Sequence, residues 1–224
     1  MALFYPHPYK GETGATRNAK DDPGLPDWPW RACIVGPPGS GKRSATCAIL
    51  DRLTHWPDRV IVVHLDPDAS GAKEYSFADE WVAPDDLPDF EDIELTDGRQ
   101  PRTVVILDEI PWGAVSKATI AKMRTLFNFV STHRNCSIIL QSQNYCAIPE
   151  NIRSACNWLI LTGKTVNPLT LGVIGTRIGC ERGEIAELQE LLRSPYDSLS
   201  AQVGKDPADR WTLNLTTPIR LRCR

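Results

Sequence analysis

The chain has 224 residues, enough for one α/β domain with additions and a sizeable core. Its 25 basic and 28 acidic residues leave a net charge of −3, so bulk charge does not announce a nucleic-acid binder, and any DNA contact must come from a local basic patch. Seven scattered cysteines without CxxC spacing, and no signal peptide, fit a reducing interior; the four histidines lack metal-ligand spacing, and no apolar run approaches the ~20 residues that span a bilayer.

Residues 1 to about 28 are rich in Pro, Gly and charge, with the aromatics Phe4, Tyr5, Tyr9, Trp28 and Trp30 interspersed and no periodicity. The composition predicts an extended or mobile arm over residues 1–30, its aromatics suited to docking on a neighbouring subunit. A single domain is expected over 31–224. Its first strand is Arg31 to Val35, followed by Gly36-Pro37-Pro38-Gly39-Ser40-Gly41-Lys42-Arg43-Ser44 and a helix to about Thr54. A second apolar strand covers Arg59 to His64. The stretch from Leu65 to Asp97 then carries twelve acids against one base, Lys73, which predicts a solvated loop with one short helix, an acidic insertion over 65–101 kept off any DNA backbone.

Thr103 to Leu107 is a third strand ending in Asp108 and Glu109. Ile120, Met123, Leu126, Phe127 and Val130 repeat at helical spacing within a helix expected from Ser116 to Val130. Cys136 to Leu140 is a fourth strand, ending in Gln141-Ser142-Gln143-Asn144, and a helical segment over Pro149 to Ala155 carries Arg153. A fifth strand at Asn157 to Thr162, helices at Pro168 to Ile178 and Glu181 to Arg193, and a hairpin of Leu199 to Val203 with Trp211 to Leu215 complete the expectation. The chain closes on Arg220, Arg222 and Arg224.

The chemistry gathers around the glycine-rich stretch. A strand, such a loop and a helix form a phosphate-binding loop: the glycines let successive N–H groups point at one centre, the helix N-terminus adds positive potential, and Lys42 reaches the β- and γ-phosphates. One position departs from the motif. Arg43 stands where a Ser or Thr should hold magnesium, and Ser44 follows it about 100° further round the helix. Either Ser44 takes the ion through an altered turn, or water fills that place, or Arg43 makes the protein slow or dependent on assembly. Ligands gather at the carboxyl ends of parallel strands, so Asp108 is placed to order magnesium and Glu109 to activate water. An acid beside the magnesium aspartate, plus a polar residue ending the next strand, suits hydrolysis better than transfer to an acceptor.

These parts together resemble the genome-packaging ATPases of large DNA viruses, the poxvirus-type branch of the FtsK–HerA superfamily. The residues that carry the resemblance are Gly36 to Ser44, Val105 to Glu109, Thr132-His133-Arg134, Ile138 to Tyr145 with Ile148-Pro149, Ile152-Arg153 and Trp158 to Leu161. His133-Arg134 stands in the reverse order of the family's Arg-His pair. The resemblance covers about residues 31 to 219 and implies an ASCE-type, RecA-like P-loop NTPase: a three-layer α/β sandwich with a mostly parallel sheet and a C-terminal β-hairpin. It also implies ATP and magnesium as cofactors, with Asp108 and Ser44 at the metal. Gln143 is the strand-end glutamine, with Gln141 as the alternate. The family forms rings of five or six subunits that pump double-stranded DNA through a capsid vertex inside the host cell. A neighbour's arginine reaches the γ-phosphate there, with Arg153 the first candidate and Arg134 the second. Lys117, Lys122, Arg124 and Lys164 are candidate DNA contacts, each as readily an ordinary solvated charge. An adenylate-kinase-type nucleotide kinase is the main alternative, since its loops also follow the lysine with one residue and a hydroxyl; the chain shows no acceptor motif and no arginine-rich lid. A cellular or conjugative DNA translocase is another, although the small size, without an appended membrane or DNA-reading domain, leans toward a virus.

Overall fold

A computed structural model describes residues 25–67, 75–90, 101–164, 168–180, 182–194 and 196–219. Most of the expected arm, the acids from Glu91 to Asp97, Lys73, and the closing arginines lie outside these residues. Five apolar runs form parallel strands, β1 (Arg31–Val35), β2 (Arg59–Val63), β4 (Thr103–Asp108), β5 (Cys136–Ser142) and β6 (Trp158–Thr162), and a short β3 (Glu80–Val82) joins them beside β2. β7 (Ser198–Gln202), β8 (Trp211–Leu213) and β9 (Thr217–Ile219) continue the sheet antiparallel, giving nine strands in the order β3-β2-β4-β5-β1-β6-β7-β8-β9. The helices are α1 (Lys42–Asp51), α2 (Lys117–Thr125), α3 (Ser131–His133), α4 (Glu150–Arg153), α5 (Pro168–Ile178) and α6 (Arg182–Gln189).

Side chains alternate across a strand, so a sheet covered on both faces needs strands that are apolar at every position. Ile34, Val60, Val62, Val104, Ile106 and Ile160 point to one face, where they meet Ala45, Ile49 and Leu50 of α1 and Trp30. Val35, Ile61, Val63, Val105, Leu107 and Leu161 point to the other, where they meet Met123, Phe127, Ile174 and Ile185. Two cores flank one sheet, which is the expected three-layer α/β sandwich.

Several elements differ from expectation. The long helix after β4 is α2, a wider π-helical turn over Leu126–Val130 and then α3; the apolar stripe is kept, with Met123, Leu126, Phe127 and Val130 buried. The hairpin gains a third strand, β9. The acidic stretch is not simply a solvated loop. It supplies β3, and its apolar residues Tyr75, Leu87 and Phe90 are buried. The acids there satisfy β2: Glu80 holds the Arg59 guanidinium at 2.6 and 2.9 Å, and an Asp79 carboxylate oxygen accepts the Val60 N–H at 2.8 Å. Residues at the end of the expected arm also belong to the core. Leu25 and Trp30 are buried, and Trp30 stands edge-on between Trp28 and Trp158 with ring centroids 5.8 and 5.9 Å away. Trp28 donates to Asn135 Oδ1 at 2.8 Å and lies under the Arg102 guanidinium.

Candidate active site

β5 lies between β1 and β4, in register with both: Asp108 pairs with Gln141, and Gln141 with Ile34. The carboxyl ends of three adjacent strands therefore open on one crevice. The loop after β1 starts there, tied down by the Gly36 N–H donating to Ser142 O at 3.2 Å. Pro37, Pro38 and Gly39 form an exposed apex, whereas Ser40 and Lys42 are buried beneath it. Glycine is required at both ends of the turn. A Cβ on Gly36 would lie 2.2 Å from Thr162 Oγ1 and 2.4 Å from Ser40 Oγ, and Gly41 has φ 85° as it caps α1. The Ser40 and Thr162 hydroxyls are themselves bonded at 2.8 Å, which fixes the loop to β6.

The Lys42 ammonium closes this turn. It donates to Gly36 O and Pro37 O, each at 3.0 Å, and forms an ion pair with Glu109 Oε1 at 3.0 Å. Glu109 sits immediately past β4 with φ 51°, a left-handed conformation that costs a non-glycine residue energy and concentrates at functional sites. Its other oxygen, Oε2, accepts from Gln143 Nε2 at 2.7 Å. Burial alone would raise the Glu109 pKa; the hydrogen bonds from Lys42 and Gln143 outweigh it and hold the group below the ordinary glutamate value. The carboxylate is thus held ionised between the loop lysine and the glutamine past β5.

The structure thus brings Lys42, Glu109 and Gln143 together. Gln141 occupies a different place. It is wholly buried and donates to Thr46 Oγ1 at 2.8 Å and to the Tyr75 hydroxyl, tying α1 to β5 and to the acidic segment.

Asp108 faces Arg43 and not Ser44. Arg43 Nη2 and Nε lie 3.0 and 3.3 Å from Asp108 Oδ2, and the Tyr75 ring flanks the guanidinium at 5.9 Å. Asp108 is 1% exposed and Arg43 42% exposed. Burial pushes the Asp108 carboxyl above the ordinary aspartate value, and Arg43 works against that push. Among the described residues no hydrogen bond joins Ser44 to Asp108; Ser44 is exposed and flanks Gly41. Among the described residues the buried Asp108 Oδ1 has no hydrogen-bond partner, so the carboxylate has lone pairs to offer a hard cation such as magnesium. A guanidinium has none to offer, and Arg43 cannot ligate a metal as the hydroxyl of the usual loop does. The carboxylate fits the ion, and residue 43 competes with it.

Arg153 holds its own chain. Its Nη1 donates to Ile148 O at 3.2 Å and to Cys146 O at 3.5 Å, which staples α4 to the turn after β5. On α2, Lys117, Lys122 and Arg124 are exposed, and Lys164 pairs with Glu190 at 2.9 Å. Sequence reasoning missed Thr162 and Tyr75, which support the loop and the Arg43–Asp108 pair; a hydroxyl ending a strand carries no pattern, and nothing in the sequence sets Tyr75 apart from Phe77, Trp81 and Phe90 in the same acidic stretch.

No protein-family profile and no curated protein sequence matches the chain. Solved structures do. The chain is similar to the genome packaging NTPase B204 from Sulfolobus turreted icosahedral virus 2 in complex with ATP-γS, at 16% identity and TM-score 0.52 over 83% of this chain and 96% of that one. It is similar to B204, the DNA-packaging ATPase from Sulfolobus turreted icosahedral virus, at 15% identity and TM-score 0.54 over 82% and 96% of the two chains. It also resembles the pCW3 conjugation coupling protein TcpA, at 14% identity and TM-score 0.53 over 79% of this chain and 58% of that one. At such identities the likeness establishes the fold, and the fold is that of a P-loop NTPase.

Proposed function

We propose that this chain is an ATP-hydrolysing motor of the FtsK–HerA superfamily, of the genome-packaging type, which moves double-stranded DNA into a preformed capsid. The observation that carries the proposal is the Lys42–Glu109–Gln143 cluster at the mouth of the phosphate loop, where a carboxylate touches both the phosphate-binding lysine and a strand-end glutamine. The packaging NTPases with the same fold support the direction of the reading.

The residues divide the work as follows. The N–H groups of Gly39 and of Gly41 to Ser44 face the phosphates, and Lys42 leaves Gly36 O, Pro37 O and Glu109 for the β- and γ-phosphates. That exchange frees Glu109 Oε1 while Gln143 still orients Oε2. Glu109 takes a proton as water attacks the γ-phosphorus, the bond to the β–γ bridging oxygen breaks, and ADP and phosphate leave. Asp108 would hold magnesium, with Ser44 as the nearest hydroxyl in sequence; the ion supplies charge neutralisation on the phosphates. Arg153, or failing it Arg134, would serve the neighbouring site in a ring of five or six subunits by stabilising charge that grows in the transition state. For Arg153 this requires release of the two carbonyls it holds. The setting is the host cytoplasm and the capsid vertex, and no described helix is long and apolar enough to cross a membrane.

A ring that grips DNA by its backbone responds to length and salt and not to sequence. The test is steady-state phosphate release against double-stranded DNA of graded length and varied base composition. Stimulation that grows with length, ignores composition and fades with salt is expected. A rate indifferent to DNA at every length and salt would remove the motor while leaving the hydrolytic site.

A further inference from the structure

The phosphate loop has two flanks. Asp108, Glu109 and Gln143 come from β4 and β5, which lie on one side of β1; β6 and β7 lie on the other. A triphosphate whose last phosphate faces Glu109 has β6 and β7 on the flank away from that residue. The turn that precedes β7 stands there, and it carries Tyr196.

Tyr196 is 60% exposed, so its ring is not a core residue. It nevertheless lies against the loop: a Cβ built on Gly41 falls 3.2 Å from Tyr196 Cδ1 and 3.8 Å from Tyr196 Cα, and 4.0 Å from Ser44 Cβ. The turn is held from several directions. Asp197 Oδ2 accepts the N–H groups of Arg193 and Ser194, each at 2.8 Å, and Asp197 Oδ1 accepts from Asn214 Nδ2 at 3.0 Å. Asp197 O accepts the Gly163 N–H at 3.2 Å, and the Tyr196 N–H donates to Ser194 Oγ at 3.3 Å. A largely exposed aromatic side chain thus stands beside the last glycine of the loop, on backbone anchored to the end of β6 and to the residue after β8.

We propose that Tyr196 stacks on the base of the nucleoside triphosphate and is the residue by which the site prefers a nucleotide to a bare polyphosphate. The inference rests on the reading that residues 36–44 hold a triphosphate. A stacked ring reads a π-face and not hydrogen-bonding edges, so the preference runs from purines to pyrimidines without strict selection of one base.

The test is equilibrium binding of ATP, CTP and inorganic tripolyphosphate to the full chain and to Tyr196→Ala and Tyr196→Phe. Tyr196→Ala is expected to weaken ATP roughly tenfold to a hundredfold and to leave tripolyphosphate unchanged, while Tyr196→Phe keeps ATP affinity. The margin of ATP over CTP collapses in the alanine variant. Unchanged ATP binding in Tyr196→Ala, or an equal loss of ATP and tripolyphosphate, would overturn the proposal, the second because it marks damage to the loop. Wild-type protein that binds neither compound overturns the phosphate-loop reading itself. Wild-type protein that binds tripolyphosphate as tightly as ATP overturns the stacking role alone.

Discussion

Glu109→Gln is expected to bind ATP within a few-fold of wild type and to lose hydrolysis by roughly a hundredfold to ten thousandfold, the usual contribution of a positioned general base. The exchange keeps size and shape at a residue whose backbone is already fixed at φ 51°. It leaves the phosphate cradle intact, because Gly36, Ser40 and Thr162 hold the loop through contacts that do not involve residue 109. What it removes is the charge that accepts from Lys42 at 3.0 Å and the proton-accepting oxygen. Binding isotherms and single-turnover phosphate release separate the two effects. Turnover within about threefold of wild type would exclude Glu109 as the base, since even the weakest base contributes more. Loss of binding together with turnover would make Glu109 a tie for the loop.

Arg43→Ser has the second large effect, and its sign depends on magnesium. Asp108 is buried, and Arg43 Nη2 lies 3.0 Å from its Oδ2. Removing one member of a buried ion pair costs about 3–5 kcal/mol; Arg43 is 42% exposed, and with solvent screening about 1–3 kcal/mol is a fairer figure. For a domain of this size that corresponds to a melting temperature lower by roughly 2–12 °C in a chelator. A cation that binds only the folded state restores stability in proportion to its concentration over its dissociation constant. Magnesium should therefore stabilise Arg43→Ser far more than wild type, where the guanidinium already neutralises Asp108. Thermal melting with chelator and with graded magnesium reads both. Equal melting temperatures in chelator, or the same magnesium increment in both proteins, would show that Arg43 and the metal do not share Asp108.

Much of the site can be read from sequence because its signals are local. The loop is one contiguous stretch, and Asp108 and Glu109 follow four consecutive apolar residues that fix where the strand ends. Gln141 and Gln143 mark the limit of that reading. Two residues apart, they share a face of an ideal strand, so periodicity cannot choose between them. The end of β5 chooses: Gln141 is still in register with Asp108 and points into the α1 side of the core, whereas Gln143 lies past Ser142 and meets Glu109. The Arg43–Asp108 pair joins residues 65 apart, and no local pattern announces it.

The fold follows the same division. β1, β2, β4, β5 and β6 are legible because a strand covered on both faces is an unbroken apolar run. β3 is hidden because Asp79, just before it, and Glu80, its first residue, satisfy β2 with carboxylates, which makes the segment look like a solvated acidic loop. β9 is three residues long and contains Pro218, which reads as a terminator and is tolerated at a sheet edge. Trp30 has the composition of an arm around it, and only the tertiary fold places it between Trp28 and Trp158.

The central claim is that the site hydrolyses ATP by activating water. It is tested most directly by following the γ-phosphate of ATP with the purified full chain, first with no acceptor nucleotide and then with AMP. The arrangement of Lys42, Glu109 and Gln143 predicts inorganic phosphate in both cases, with AMP unconsumed. Phosphoryl transfer to AMP, or no phosphate release without an acceptor, would contradict it.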